Sequence, residues 1–109
     1  MIIVTVFRKN GEVTGFLGRG HAGCGEEGQD IVCAAASALM INCVNSISQI
    51  AGDEVDDSAE SGYLDCRFPK GLSAEGSVLF ESMLLGLRMI AETSDAEGSP
   101  FLEVRFEED

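Results

Sequence analysis

Residues 31–52 read IVCAAASALMINCVNSISQIAG and hold no Asp, Glu, Lys or Arg, in a chain where 24% of residues are charged. A run of that length and apolarity matches a bilayer span, but Asn42, Asn45, Ser46, Ser48 and Gln49 interrupt it. It therefore fits a helix buried on most of its sides in a water-soluble protein. Such a helix must be covered on more than one face. At 109 residues the chain has room for one compact domain, residues 1–109, and a domain that small completes the cover with a second copy of itself. A homodimer is expected, with no membrane contact.

The flanking segments supply a sheet. Residues 2–8, IIVTVFR, are β-branched and aromatic, and Asn10-Gly11 follows at once, a pair suited to the positive φ angles of a tight hairpin turn. The returning arm, residues 12–19, contains Gly15 and Gly18 and is expected to bend or bulge near its end. After the uncharged helix comes acidic material, Asp53-Glu54-Val55-Asp56-Asp57, then a turn through Ser61-Gly62 and a strand over residues 63–68, which together form a second hairpin. Ser73 can cap a new helix whose first turn holds Glu75. Val78, Leu79, Met83, Leu84, Leu87, Ile90 and Ala91 recur at helical spacing to about Thr93. Gly98-Ser99-Pro100 ends the pattern, and residues 101–106 alternate as a last strand. The order is ββαββαβ, an α+β fold with a single mixed β-sheet and two α-helices.

Nineteen acidic residues against seven basic give a formal charge of −12. That balance repels nucleic acid and anionic lipid and attracts a basic peptide or protein, although the same charge also serves plain solubility. Met1 to Val4 carry no basic patch ahead of a long apolar run, so a cytoplasmic protein is expected. In that reducing setting Cys24, Cys33, Cys43 and Cys66 stay thiols. No C-x-x-C pair occurs, and one His with four scattered Cys makes no zinc clip, so neither a metal nor a cofactor is expected.

The chemistry concentrates in residues 20–39, GHAGCGEEGQDIVCAAASAL, which contain the single histidine, His21. Residues 18–23 formally match G-x-G-x-x-G, but a dinucleotide fingerprint opens its helix immediately, whereas this helix waits until about residue 31, and Glu26 and Glu27 would repel a phosphate. If Asp30 is the N-cap, Cys33 is the third helical residue, where unpaired amides and the helix dipole favour a thiolate. Glu26, Glu27 and Asp30 oppose that ionisation. His21 lies across a loop whose glycines let it fold back, within reach of Cys33 as base and then acid. The competing reading is an exposed His and a buried helix Cys. Ser37, one turn beyond Cys33, can hold the thiolate or a substrate carbonyl, or bond back to the carbonyl of Cys33. Cys43 and Cys66 read as core positions, and Cys24 as a loop thiol open to a redox role with Cys33.

Gly20-His21-Ala22, Asp30-Ile31-Val32-Cys33-Ala34-Ala35 and Ser37-Ala38-Leu39, taken together, resemble the signature of the ribosomal-processing cysteine protease family (Prp, YsxB-like). The likeness covers nearly the whole chain. It implies an endopeptidase with a His21–Cys33 dyad that removes a short N-terminal extension from a basic protein of the large ribosomal subunit. It also implies a homodimer, a mobile glycine-rich loop with Gly20 as hinge, and support of the dyad by Asp30 and Ser37. The rival reading is a non-catalytic acidic dimeric module that grips the basic ribosomal protein without cutting it.

Overall fold

The computed structural model describes residues 1–20 and 29–109, the side chains of Gln29 and Asp30 excepted. Its elements are β1 (Ile2–Lys9), β2 (Glu12–Arg19), α1 (Gln29–Gln49), β3 (Asp56–Glu60), β4 (Tyr63–Arg67), α2 (Ala74–Ala91) and β5 (Leu102–Glu108), the expected ββαββαβ order. The strands form one sheet in the order β3-β4-β2-β1-β5. It is mixed: β5 runs parallel to β1, and the other pairs are antiparallel.

The first hairpin turns at Asn10 and Gly11, with φ of 52° and 81°, as a tight two-residue turn demands. The register slips between Phe7 and Arg8, which face Gly15 and Val13, so the bulge leaves Thr14 over near the turn rather than near the far end of β2. The expectation of a late bulge fails because the later glycine has another task, described below. Beyond the slip, alternation is strict, and Ile2, Val4 and Val6 enter the core with Phe16, Leu64 and Cys66.

Both helices cover that one face of the sheet. Along α1 the buried residues are Ala36, Met40, Cys43, Val44 and Ile47, a single helical stripe. Ile31 and Ile41 stay 73% and 53% exposed, so α1 is not buried on most sides within one chain. The reason is layering: α2 lies beside α1 rather than over it, as Gly86 leaves room for the Leu39 side chain, and among the described residues no element lies over the outer face of α1.

On α2 the inward face is Phe80, Met83, Leu84 and Leu87, at i, i+3, i+4 and i+7. Val78, expected in the buried stripe, is 69% exposed, and Phe80 takes its place. The aromatic ring explains the choice, since Phe80 meets Phe16 at 5.8 Å and Phe68 edge-on at 6.0 Å between ring centroids.

The two helices are joined through Asp53. Its amide donates to the Ile47 carbonyl at 3.1 Å as α1 ends, while its Oδ2 accepts from the Ser73 amide and hydroxyl, both at 3.0 Å. Ser73 Oγ in turn accepts from the Gly76 amide at 3.0 Å, so the expected N-cap is present and is itself held by a carboxylate. Asp53→Ala is expected to lower stability by about 1–3 kcal/mol by orphaning the half-buried Ser73 donors. Glu54→Ala, next door and exposed, should stay within about 0.5 kcal/mol. Urea titrations of the two variants check the difference.

Candidate active site

Three close approaches build the site from backbone. At Gly18 in β2 a Cβ would stand 2.6 Å from Met40 Sδ, so only glycine lets that side chain of α1 seat on the strand. Two residues on, Gly20 has φ of +96°, and a Cβ there would lie 2.6 Å from the Met1 carbonyl oxygen. The Gly20 amide donates to the Gly62 carbonyl at 2.9 Å, tying the end of β2 to the turn between β3 and β4.

These contacts gather the start of α1, the end of β2 and the β3–β4 turn around one cleft of about 140 Å³. Cys33 lines it, half-buried, with Ser37 one turn along the same helix face. Met40 and Ile41 extend that wall as apolar surface, and Glu60 and Tyr63 stand on the rim opposite.

Of the residues singled out from sequence, Gly20, Cys33 and Ser37 therefore meet at this cleft. Asp30 is the second residue of α1 rather than its N-cap, because the helix already begins at Gln29; Cys33 becomes the fifth helical residue, one turn in. His21 and Cys24 lie outside the described residues, as does the Asp30 side chain. Met40 and Ile41 were missed, although they follow Cys33 at i+7 and i+8 on one helix face, a readable signal. Glu60 and Tyr63 had no such signal. Their place depends on β4 lying beside β2, a long-range pairing that no local pattern encodes.

The described thiols fall into two kinds. Cys43 and Cys66 are sealed in the core, and burial pushes each up to about 12, with the negative charge of Asp57 adding to the effect on Cys66. They are neutral at physiological pH and shielded from any ligand. Cys33 instead stands on an open cleft, where a sulfur can reach the carbonyl of a chain laid across it.

A thiol one turn into a helix and lining an open cleft suits a cysteine hydrolase, and comparison with known proteins makes it a cysteine protease. The chain belongs to the family described as Cysteine protease Prp, whose model matches residues 1–97. The ribosomal processing cysteine protease Prp of Bacillus subtilis is 34% identical over 97 residues, covering 83% of this chain and 87% of that protein. Two crystal structures of the essential ribosomal processing protease Prp from S. aureus share the fold over 98% of this chain and 100% of theirs. One holds a covalently linked product peptide, with a TM-score of 0.83 and 30% identity. The other holds a substrate peptide, with a TM-score of 0.82 and 28% identity.

Two expectations follow from the thiols and the strand end. Both core thiols stay protonated in the fold up to about 12, while a thiol in the unfolded chain ionises near 9.0. Between those values the unfolded state releases protons that the folded state keeps, so their contribution to stability is complete below pH 9 and is lost as pH rises toward 12. Denaturant midpoints measured upward from pH 8 should fall, and less steeply in Cys43→Val. Gly20→Ala is expected to cost about 1–3 kcal/mol, from the positive φ together with the crowded Met1 carbonyl. Thermal melts of this variant against Gly11→Ala, where φ is also positive but nothing lies within 4 Å, separate the two causes.

Proposed function

We propose that this cysteine protease is an endopeptidase that removes a short N-terminal extension from a basic protein of the large ribosomal subunit, with Cys33 as nucleophile and His21 as general base and acid. The observation that carries the reading is the position of Cys33, half-buried at the mouth of a cleft that Gly20 also lines. His21 is bonded directly to Gly20, and consecutive Cα atoms are about 3.8 Å apart. The relatives named as ribosomal processing proteases, one of them crystallised with a covalently linked product peptide, support a thiol mechanism and a ribosomal substrate.

In this mechanism the Cys33 sulfur, having given its proton to His21, attacks the scissile carbonyl and forms a tetrahedral adduct. Amides of the first turn of α1 stabilise the oxyanion. The C–N bond breaks as His21 returns the proton to the departing amine, leaving a thioester on Cys33. Water, deprotonated by His21, attacks the thioester carbonyl and frees the new carboxyl terminus and the thiol. Asp30 and Ser37 position the pair, and Gly20 is the hinge of the loop. No metal or organic cofactor enters.

The enzyme acts as a homodimer in the cytoplasm, without membrane or direct nucleic-acid contact. What supports the dimer is apolar surface left open on both helices: Ile31 and Ile41 on α1, and Val78, Leu85 and Met89 on α2. By length and composition Ile31–Gln49 would suffice to cross a membrane, but its stripe of Ala36, Met40, Cys43, Val44 and Ile47 is used against the sheet. The charge of −12 suits a basic substrate and repels phosphate backbones.

Mass spectrometry of the candidate ribosomal protein after incubation with enzyme tests the assignment. The wild type should release one N-terminal fragment, and Cys33→Ala and His21→Ala should each slow its release by about a thousandfold or more while leaving thermal stability near that of the wild type. Cleavage by Cys33→Ala at the wild-type rate would remove Cys33 from the mechanism. For the assembly, Leu85→Glu should convert a sedimenting dimer into a monomer.

A further inference from the structure

β3 is the last strand at one side of the sheet, and all five of its residues are exposed. Among the described residues no strand lies along its outer edge, so a row of backbone N–H and C=O groups there has no ladder partner. Edges are guarded by bulges, prolines, charged side chains or short length, and in Asp56-Asp57-Ser58-Ala59-Glu60 the guard is carboxylate alone, without bulge, proline or lysine, so what it turns away is an acidic strand and what it admits is a cationic one. The opposite edge differs. β5 carries Arg105 paired with Glu103, its Phe106 ring lies under Arg8 and Arg88, and none of its residues reaches the cleft.

The open edge leads to the thiol. Ala59 and Glu60 line the same cleft as Cys33. The register pairs Ala59 with Leu64 and Asp57 with Cys66, both buried toward the helices, so Asp57 and Ala59 face the helix side and Asp56, Ser58 and Glu60 face the other. Ala59 is the small residue on the cleft side, leaving space above the edge for a side chain of an added strand. The carboxylates on both faces have a selective consequence. They repel β3 of a second copy, so edge-to-edge pairing between enzymes is disfavoured, while a strand bearing Lys or Arg is attracted.

We propose that the substrate is held as an extended strand added to the outer edge of β3, with cationic side chains against Asp56, Asp57 and Glu60 and the scissile bond carried past Ala59 to Cys33. The proposal rests on the reading of Cys33 as nucleophile. Backbone pairing gives grip that is indifferent to sequence, and the acidic row gives preference for a basic segment. From Asp56 to Glu60 the strand spans about 13 Å at roughly 3.3 Å per residue, so the basic positions fall within about four residues of the cut on one flank.

The test uses the full-length enzyme and a peptide spanning the extension boundary of the candidate ribosomal protein, N-methylated at one backbone amide at a time. Strand addition predicts a KM increase of about tenfold or more at every second position on one flank, with little effect at the positions between and kcat nearly unchanged. A second arm uses Asp56→Asn/Asp57→Asn: KM for the unmodified peptide should rise about fivefold at low salt, with the difference closing near 0.5 M salt. A wild-type enzyme that cuts every methylated peptide with the same KM overturns the docking mode and leaves the protease assignment standing. A wild-type enzyme that cuts none of the peptides, the unmodified one included, overturns the assignment and the docking mode together.

Discussion

Met40 reaches from α1 onto β2 at the one point where the strand has no side chain, and an added Cβ at Gly18 would stand 2.6 Å from its sulfur. This contact sets how closely the uncharged helix approaches the sheet, and through it the height of Cys33, two turns earlier on the same helix, above the strand ends. The inward stripe of α1 and the inner faces of β1, β2 and β4 then close into one core. Cavity filling and helix placement are thus a single event, and the cleft is the space left where α1 outruns the sheet.

The charge distribution divides the molecule into functional sides. A helix with no ionised group along residues 31–52 can bury one stripe against the sheet and leave the other uncharged, at no desolvation cost to a charged residue. Most acidic residues lie on strands, turns and the C-terminal end, with residues 53–57, which lead into β3, holding four in five. A cleft bounded by a neutral helix on one side and an acidic strand on the other is polarised across its width. A chain crossing it meets apolar surface at Met40 and Ile41 and charge of both signs, from Glu60 and from Arg19 at the end of β2.

Element types and their order were legible because each depends on local pattern: β-branched and aromatic composition in β1, alternation over residues 101–106, the Asn10-Gly11 turn, the Ser73 cap, and the long uncharged run. Cys33 and Ser37 were legible as neighbours for the same reason, one helical turn apart. Most of what escaped was non-local. Asp53 reads as the first of an acidic run, yet it joins the end of α1 to the cap of α2, because the chain brings residue 73 back over it. Val78 and Phe80 are both apolar, but only Phe80 keeps i+3, i+4 and i+7 spacing with Met83, Leu84 and Leu87, a local signal that was passed over, and Phe16 and Phe68 receive its ring. Glu60 and Tyr63 join the site through the pairing of β4 with β2. The start of α1, two residues earlier than the pattern indicated, moved Asp30 from cap to first turn.

The bond from the Gly20 amide to the Gly62 carbonyl ties the strand end to the hairpin opposite without any side chain. A tether made only of main chain asks nothing of the residues hung on either side of it beyond the two glycines. Side chains on the rim can therefore be exchanged without loosening the join between the strand end and the hairpin that frame Cys33.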